Sequence, residues 1–297
     1  MLNFKCPNCD GEMSVDRHGD LHCSYCDSKF NFTDRDLAEY KEFRYNMLYY
    51  LSCIANRTAA GEDTERLWRQ ATEVSFITEG GAEISIRCIY ESSAKGCECY
   101  TARNNLLLIM SAAQAEQFAA GCKYLTYPSA DVRELSQYFP VITGQYSLKD
   151  GRKLISLSKP EEVFPLGAFG SLPPVHAAWI VSRLENLCCV MEYSGVTHGD
   201  ITLDNLFINA RTHELYLLGG WQNAEKRRSR DDLIMMRRTV KKLMGRLADK
   251  APKEFTDFLD RKDPPDAYTD FSDWDKVIEV GFGGRRFEKL DLTALGG

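Results

Sequence analysis

Two short cysteine knuckles constrain the start of this chain more than any other feature. Cys6-Pro7-Asn8-Cys9 and Cys23-Ser24-Tyr25-Cys26 form C-x2-C-x13-C-x2-C. Each C-x2-C turn aims two thiolates at one ion, at about 2.3 Å per sulfur for zinc, and two such turns complete a tetrahedron. A segment of about 30 residues buries too little to fold on a core of its own. The ion then supplies the stability, on the order of 10 kcal/mol. Between the knuckles, Met13-Ser14-Val15 and Asp20-Leu21-His22 flank His18-Gly19 and predict a short hairpin. Four thiolates close the coordination shell, so the expected Zn2+ site on Cys6, Cys9, Cys23 and Cys26 is structural, not catalytic. His18 and His22 are expected as exposed hairpin residues.

The segment resembles a zinc ribbon. The chain has 11 cysteines in 297 residues, and a reducing compartment favours metal binding over disulfides. The other seven do not extend the pattern. Cys97-x-Cys99 has the wrong spacing for a knuckle, Cys188-Cys189 sit in an apolar helical pattern, and Cys53, Cys88 and Cys122 are expected to be structural. No apolar run approaches the roughly 20 residues of a membrane span, and Met1-Leu2-Asn3-Phe4-Lys5-Cys6 opens without a signal-peptide core. The expected location is the cytoplasm, with no membrane association. A net charge of −6 weighs against a dedicated nucleic-acid binder.

Downstream, Leu37, Tyr40, Met47, Leu48 and Leu51 recur at helical spacing and predict a helix from Thr33, its N-cap, to about Arg57. A second short helix is expected over 64–71. Val74 to Ile77 and Glu83 to Ile89 flank Glu79-Gly80-Gly81-Ala82 and predict a hairpin. A helix carrying Ala102, Leu106, Leu107 and Met110 is expected next, then strands around Val141-Ile142 and Leu154 to Leu157, joined near Lys149-Asp150-Gly151. Pro160 and Pro165 predict a break. Pro173-Pro174 open a helix from Val175 to about Tyr193. Leu206-Phe207-Ile208 and Leu215 to Leu218 form a hairpin, and Asp231-Asp232 open a helix to about Leu247.

Between that long helix and that hairpin lies Thr197-His198-Gly199-Asp200-Ile201-Thr202-Leu203-Asp204-Asn205, an H-x-D-x-x-x-x-N pattern. In this context it resembles the catalytic loop of the protein-kinase-like superfamily. The His-Gly-Asp form is also similar to the aminoglycoside-phosphotransferase branch. With the ribbon and the Gly-Phe-Gly-Gly-Arg-Arg-Phe run at 281–287, the whole resembles phage- and bacterium-encoded zinc-ribbon kinase-like proteins. The implied fold is α+β: a four-cysteine zinc ribbon (1–31), a helical linker (32–72), then a bilobal, reduced protein-kinase-like domain. Its N-lobe would be 73–160, and its C-lobe, with a C-terminal extension, 161–297. The resemblance implies Asp200 as catalytic base, Asn205 as a Mg2+ ligand, His198 as the loop anchor, and Asp231 or Asp232 as the acid bracing the loop. It places the phosphate-binding cation at Arg87 and its helical partner at Glu98.

The departures set the functional expectation. No G-x-G-x-x-G precedes Ile84, and Gly80-Gly81 is a tight turn. Arg87 stands where a lysine is expected, and its fork differs from a point charge. The metal-binding aspartate falls at Gly219 or Gly220. Only about ten residues separate Gly220 from Asp231, which leaves no peptide platform. The favoured reading is a pseudokinase-type binding or regulatory module with a protein partner. The alternative is an ATP- and Mg2+-dependent phosphotransferase using Asp200 and Asn205. A third is a nucleic-acid-binding accessory protein acting through the ribbon.

Overall fold

The computed structural model describes residues 13–15, 20–23, 29–31, 34–56, 64–286, 288–292 and 295. The chain divides into two compact units, one of residues 1–112, 142–161 and 292–297, the other of 113–141 and 162–291.

The first unit opens with β1 (Met13–Val15), β2 (Asp20–Cys23) and β3 (Lys29–Asn31), an antiparallel sheet with β2 in the middle. Met13 pairs with Cys23 and Val15 with Leu21, so the hairpin expected between the knuckles forms. Of the expected zinc ligands, Cys6, Cys9 and Cys26 lie outside the described residues, as does His18, and Cys23 is described by its backbone alone. α1 (Asp34–Asn56) buries Met47, Leu48, Tyr50 and Leu51, as its periodicity predicts. Its expected cap, Thr33, is outside the described residues. α2 (Arg66–Arg69) follows, and Trp68 on it meets Tyr50 edge-on at 5.6 Å.

Six antiparallel strands complete this unit: β4 (Thr72–Ile77), β5 (Glu83–Ala94), β6 (Cys97–Ala102), β7 (Asn105–Met110), β8 (Ile142–Ser147) and β9 (Lys153–Ser158), in the order β4-β5-β6-β7-β9-β8. The hairpin around Glu79–Ala82 forms with Ile77 opposite Glu83. At one end the two edges meet: Thr78 bridges Leu148, and the Glu79 amide donates to the Ser147 carbonyl at 2.8 Å. The sheet is thus curled onto itself around Cys88, Tyr100, Ala102, Leu107, Ile109, Leu148 and Leu154. The helix expected through Ala102, Leu106, Leu107 and Met110 is instead the β6–β7 hairpin, turning at Arg103-Asn104. Leu106 to Met110 are all buried, so β7 is covered on both faces. That erases the period-two signal that would have marked a strand.

In the second unit α3 (Ala112–Cys122) and α4 (Ala130–Arg133) precede β10 (Val163–Pro165). β10 is an edge strand against β11 (Leu206–Asn209), which pairs in turn with β12 (Glu214–Leu217). Pro165 is tolerated at that edge because its missing N–H costs no ladder bond. Between β10 and β11 runs α5 (Pro174–Ser194), with proline in its first turn and Gly195 at its C-cap in the left-handed conformation (φ 67°). α6 (Asp231–Met244) and α8 (Ala267–Phe282) pack against α5, and α7 (Lys253–Asp260) packs against α6 and α8. Their shared interior is polar at one point. Arg237 on α6, 1 % exposed, donates to both oxygens of Asp270 on α8 at 2.6 and 2.7 Å, and to the Phe258 carbonyl at 3.0 Å. Trp274, which the sequence alone does not place, is buried and donates to Ser182 Oγ on α5 at 2.8 Å. No helix among the described residues is long and apolar enough to cross a membrane.

Candidate functional site

The H-x-D-x-x-x-x-N loop lies wholly within the second unit, between α5 and β11. The Gly195 cap ends α5 and turns the chain, with the Val196 amide donating back to the Met191 carbonyl at 3.0 Å. Thr197 then exchanges backbone hydrogen bonds with Glu225 at 3.0 and 2.8 Å. The next two amides point at the N-terminus of α6: His198 N–H donates to Asp232 Oδ2 at 2.7 Å and Gly199 N–H to Oδ1 at 2.8 Å. Of the two acids the sequence left open, the structure selects Asp232. Asp231 is exposed and pairs with Arg227 at 3.1 Å. Burial pushes the Asp232 carboxyl upward, and the His198 ring and the two amides oppose that shift. From the other side, Thr239 Oγ1 on α6 donates to the Ile201 carbonyl at 2.7 Å.

His198 is fully buried, and its partners decide its tautomer. The Asp200 amide donates to Nδ1 at 3.2 Å, and an amide can only donate, so Nδ1 is the bare nitrogen. Nε2 therefore carries the proton and donates to the Gly219 carbonyl at 3.0 Å. The indole of Trp221 meets the imidazole edge-on at 4.8 Å. Trp221 is itself held by a 3.0 Å bond from Nε1 to the Leu217 carbonyl and by Phe139 at 5.7 Å. α3 closes on the same turn: a Cβ at Gly121 would fall 2.5 Å from the Trp221 carbonyl oxygen. Only glycine permits that approach.

The structure brings Asn205 against the backbone of Asp200. Asn205 Nδ2 donates to the Asp200 carbonyl at 2.8 Å and to Thr202 Oγ1 at 3.2 Å. Its backbone carbonyl accepts the Leu218 amide at 3.1 Å and the Gly219 amide at 3.3 Å. The Asp200 carboxylate, 4 % exposed, accepts Asn223 Nδ2 at 3.1 Å through Oδ2. Sequence reasoning missed Thr202, Asn223 and Thr239. Asn223 had a signal, since it stands three residues after Gly220 in the segment where a metal-binding acid is sought. The other two are ordinary hydroxyl residues whose roles depend on where the chain folds back.

Gly219 and Gly220 lie hard against this cluster. A Cβ at Gly219 would fall 2.3 Å from Asn205 Oδ1 and 3.1 Å from Cγ. At Gly220, where φ is +80°, it would fall 2.7 Å from both Asn205 Nδ2 and His198 Cε1. The place where a carboxylate would branch from the chain is filled by Asn205. A metal at this loop would find Asn205 Oδ1 and the Asp200 carboxylate, the latter already taking an amide. This donor set does not fit the metal-bridged phosphates that such a loop holds when active. Among the described residues no group of three or more His, Cys, Asp or Glu is placed to hold a metal ion.

The expected Arg87–Glu98 pair is not brought together. Both lie on strands, Arg87 on β5 and Glu98 on β6, and the register sets Glu98 opposite Ser93, six residues from Arg87. Arg87 donates to the carbonyls of Arg69 and Ala71 at 3.2 and 3.1 Å. Glu98 takes Arg152 at 2.7 Å and the Tyr100 hydroxyl at 3.1 Å. The pairing assumed a helix at Glu98, but the helix begins at Ala112. The strand directly before it, β7 (Asn-Leu-Leu-Leu-Ile-Met), carries no cation at all.

No family model matches the chain, and no curated protein matches it in sequence. Among solved structures it is similar to vaccinia related kinase 3, with a TM-score of 0.51 at 12 % identity over 70 % of this chain and 91 % of that one. The fold is kinase-like. A structure of WbdD gives 0.45 at 10 % identity over 72 % of this chain, and WbdD with the kinase inhibitor LY294002 gives 0.41 at 11 % over 68 %. The chain spans about half of the WbdD chains, 50 % and 47 %.

Proposed function

We propose that this protein is a pseudokinase-type scaffold: a kinase-like fold whose loop no longer performs phosphoryl transfer and whose surfaces engage a protein partner. The observation that carries the reading is the contact of Gly219 with Asn205: a Cβ there would fall 2.3 Å from Oδ1, so an aspartate at this position would have to push the Asn205 amide off its bonds to the Asp200 carbonyl and Thr202. Losing a principal metal ligand removes several kcal/mol of transition-state stabilisation. The absence of a cation on β7 supports the same reading, since phosphoryl transfer relies on a strand lysine at the phosphates. Cys6, Cys9, Cys23 and Cys26 would hold a structural Zn2+ in a ribbon over residues 1–31, with residues 32–72 linking it to N-lobe-like (73–160) and C-lobe-like (161–297) parts.

The test is a thermal-shift titration of zinc-loaded protein with ATP, with and without Mg2+. At 5 mM, a site of about 1 mM affinity adds about 1 kcal/mol of stability, so weak binding is visible. The scaffold reading expects no Mg2+-dependent shift. The second reading rests on the intact His198, Asp200 and Asn205 network. A Mg2+-dependent shift that disappears in Asn205→Ala, with transfer that disappears in Asp200→Ala, would replace the scaffold by an atypical phosphotransferase.

A further inference from the structure

The second unit holds a cavity of about 200 Å³ between α5 and α8. Val175, Ala178 and Trp179 on α5 and Ile278 and Phe282 on α8 make its wall apolar. The chain that leaves α8, part of the Gly-Phe-Gly-Gly-Arg-Arg-Phe run, forms its rim. Gly283 and Gly284 turn that chain with φ of +69° and +100°, and a Cβ at either would meet nothing within 4 Å, so glycine serves the backbone conformation there and not a close approach. The Trp179 indole then donates to the Arg286 carbonyl at 3.2 Å and fixes the rim to α5. Arg286 and Glu288 are exposed and line the cavity where it meets solvent.

The other polar groups of the cavity are committed. The Ser182 hydroxyl donates to the Ala178 carbonyl at 3.1 Å and accepts Trp274 Nε1 at 2.8 Å, and Arg285 pairs with Asp275. Two charges of opposite sign remain. Neither the Arg286 guanidinium nor the Glu288 carboxylate has an ion-pair partner among the described residues. Size narrows the occupant further. An apolar cavity of about 150 Å³ takes benzene, and drug-sized ligands need about 300 Å³ or more. A space between these suits one ring or branched alkyl group with a short polar head.

We infer that this cavity binds an apolar α-amino acid, its side chain against the α5 and α8 wall, its carboxylate on Arg286 and its ammonium on Glu288. A plain carboxylic acid would satisfy Arg286 but bring a second negative charge to Glu288, and an amine would do the converse. A zwitterion on a small apolar body answers both.

The experiment is a saturation-transfer NMR titration of the zinc-loaded full chain with L-phenylalanine. 3-Phenylpropanoate and 2-phenylethylamine run alongside, each keeping the ring and losing one charge. A ligand this small is expected to bind in the millimolar range, and an exposed ion pair is worth up to about fivefold. Each analogue should therefore bind about two- to fivefold more weakly than L-phenylalanine. Arg286→Gln should cost L-phenylalanine a similar factor and leave 2-phenylethylamine unchanged. Glu288→Gln should cost L-phenylalanine likewise and leave 3-phenylpropanoate no weaker. Ala178→Phe, which fills the cavity, should abolish binding of all three. Circular dichroism melting checks folding, and the two rim variants decide the matter if Ala178→Phe does not fold. No saturable binding of L-phenylalanine up to about 20 mM overturns the inference, as that exceeds the affinity expected for its size. Binding that survives in folded Ala178→Phe overturns it as well. So does 3-phenylpropanoate binding as tightly as L-phenylalanine, in favour of a simple apolar acid.

Discussion

Placing a methyl group on Gly219 tests whether Asn205 is locked against this turn. No positive φ is recorded at Gly219, so alanine adds a steric conflict and no backbone strain. The new Cβ would sit 2.3 Å from Asn205 Oδ1. The amide must swing away, and it then loses the bonds to the Asp200 carbonyl and to Thr202 Oγ1. Two hydrogen bonds at about 1 kcal/mol each, with the steric cost of moving a packed amide, give a loss of about 2–4 kcal/mol. Removing the obstacle removes the conflict. Asn205→Ala alone also forfeits the two bonds, but Gly219→Ala added to it should then cost almost nothing. Urea unfolding of the four proteins in this double-mutant cycle should show a coupling energy of about 2 kcal/mol, within the range for residues in contact. Additive effects within about 0.5 kcal/mol would refute the steric lock and with it the main support for a scaffold.

Three further outcomes follow from the second unit and the ribbon. Burial, then the neighbouring Asp270 carboxylate, pushes the Glu185 carboxyl up to about 9 from a usual 4.5. The native state thus keeps a proton that the unfolded chain releases, and stability should fall as pH rises from about 4.5 towards 9, by up to about 1.4 kcal/mol per unit. Glu185→Gln should flatten that slope between pH 5 and 8 in urea titrations, and an unchanged slope would count against it. His213 behaves in the opposite sense: burial first, then the His176 and Arg183 charges, depress its imidazole to about 4 from 6.5. The unfolded chain takes the proton first, so stability is full above about 6.5 and should drop by about 3 kcal/mol by pH 4. His213→Asn, which tolerates the positive φ of 53° at this position, should remove that part of the acid sensitivity. Replacing Cys6 or Cys26 with serine should lower bound zinc below one ion per chain by elemental analysis and lower the melting temperature of the ribbon. Full zinc occupancy in both variants would exclude these ligands.

The helices and turns legible in the sequence are those whose signals are local. The helices at 34–56, 174–194 and 231–244 each carry an apolar stripe with acids, proline or glycine at an end. The hairpins at 72–94 and 206–217 are marked by turn residues between apolar runs. β7 is illegible because it is buried on both faces, and Leu106 to Met110 fit a helix and a central strand equally well. α7 and α8 have no comparable local signal, and it is packing that buries Trp274 5.3 Å from the Phe255 ring and 5.0 Å from the Phe258 ring.

At the site, the spacing of His198, Asp200 and Asn205 already placed three groups on one loop, because the seven steps from 198 to 205 cannot carry them far apart. The missing carboxylate was visible in the bare letters Gly219-Gly220. What the letters do not contain is which groups a side chain there would displace. Asn205 is held against Gly219 by bonds to residues on its own loop. The loop is held by Asp232 and Thr239 from a helix some 30 residues later, and Trp221 is pressed on by α3 from about 100 residues earlier. The choice between Asp231 and Asp232 and the separation of Arg87 from Glu98 are likewise matters of register and approach. Local sequence sets which residues can turn, cap or alternate. Contacts between segments distant in the chain depend on how the elements pack, and here that packing decides what the loop has room to hold.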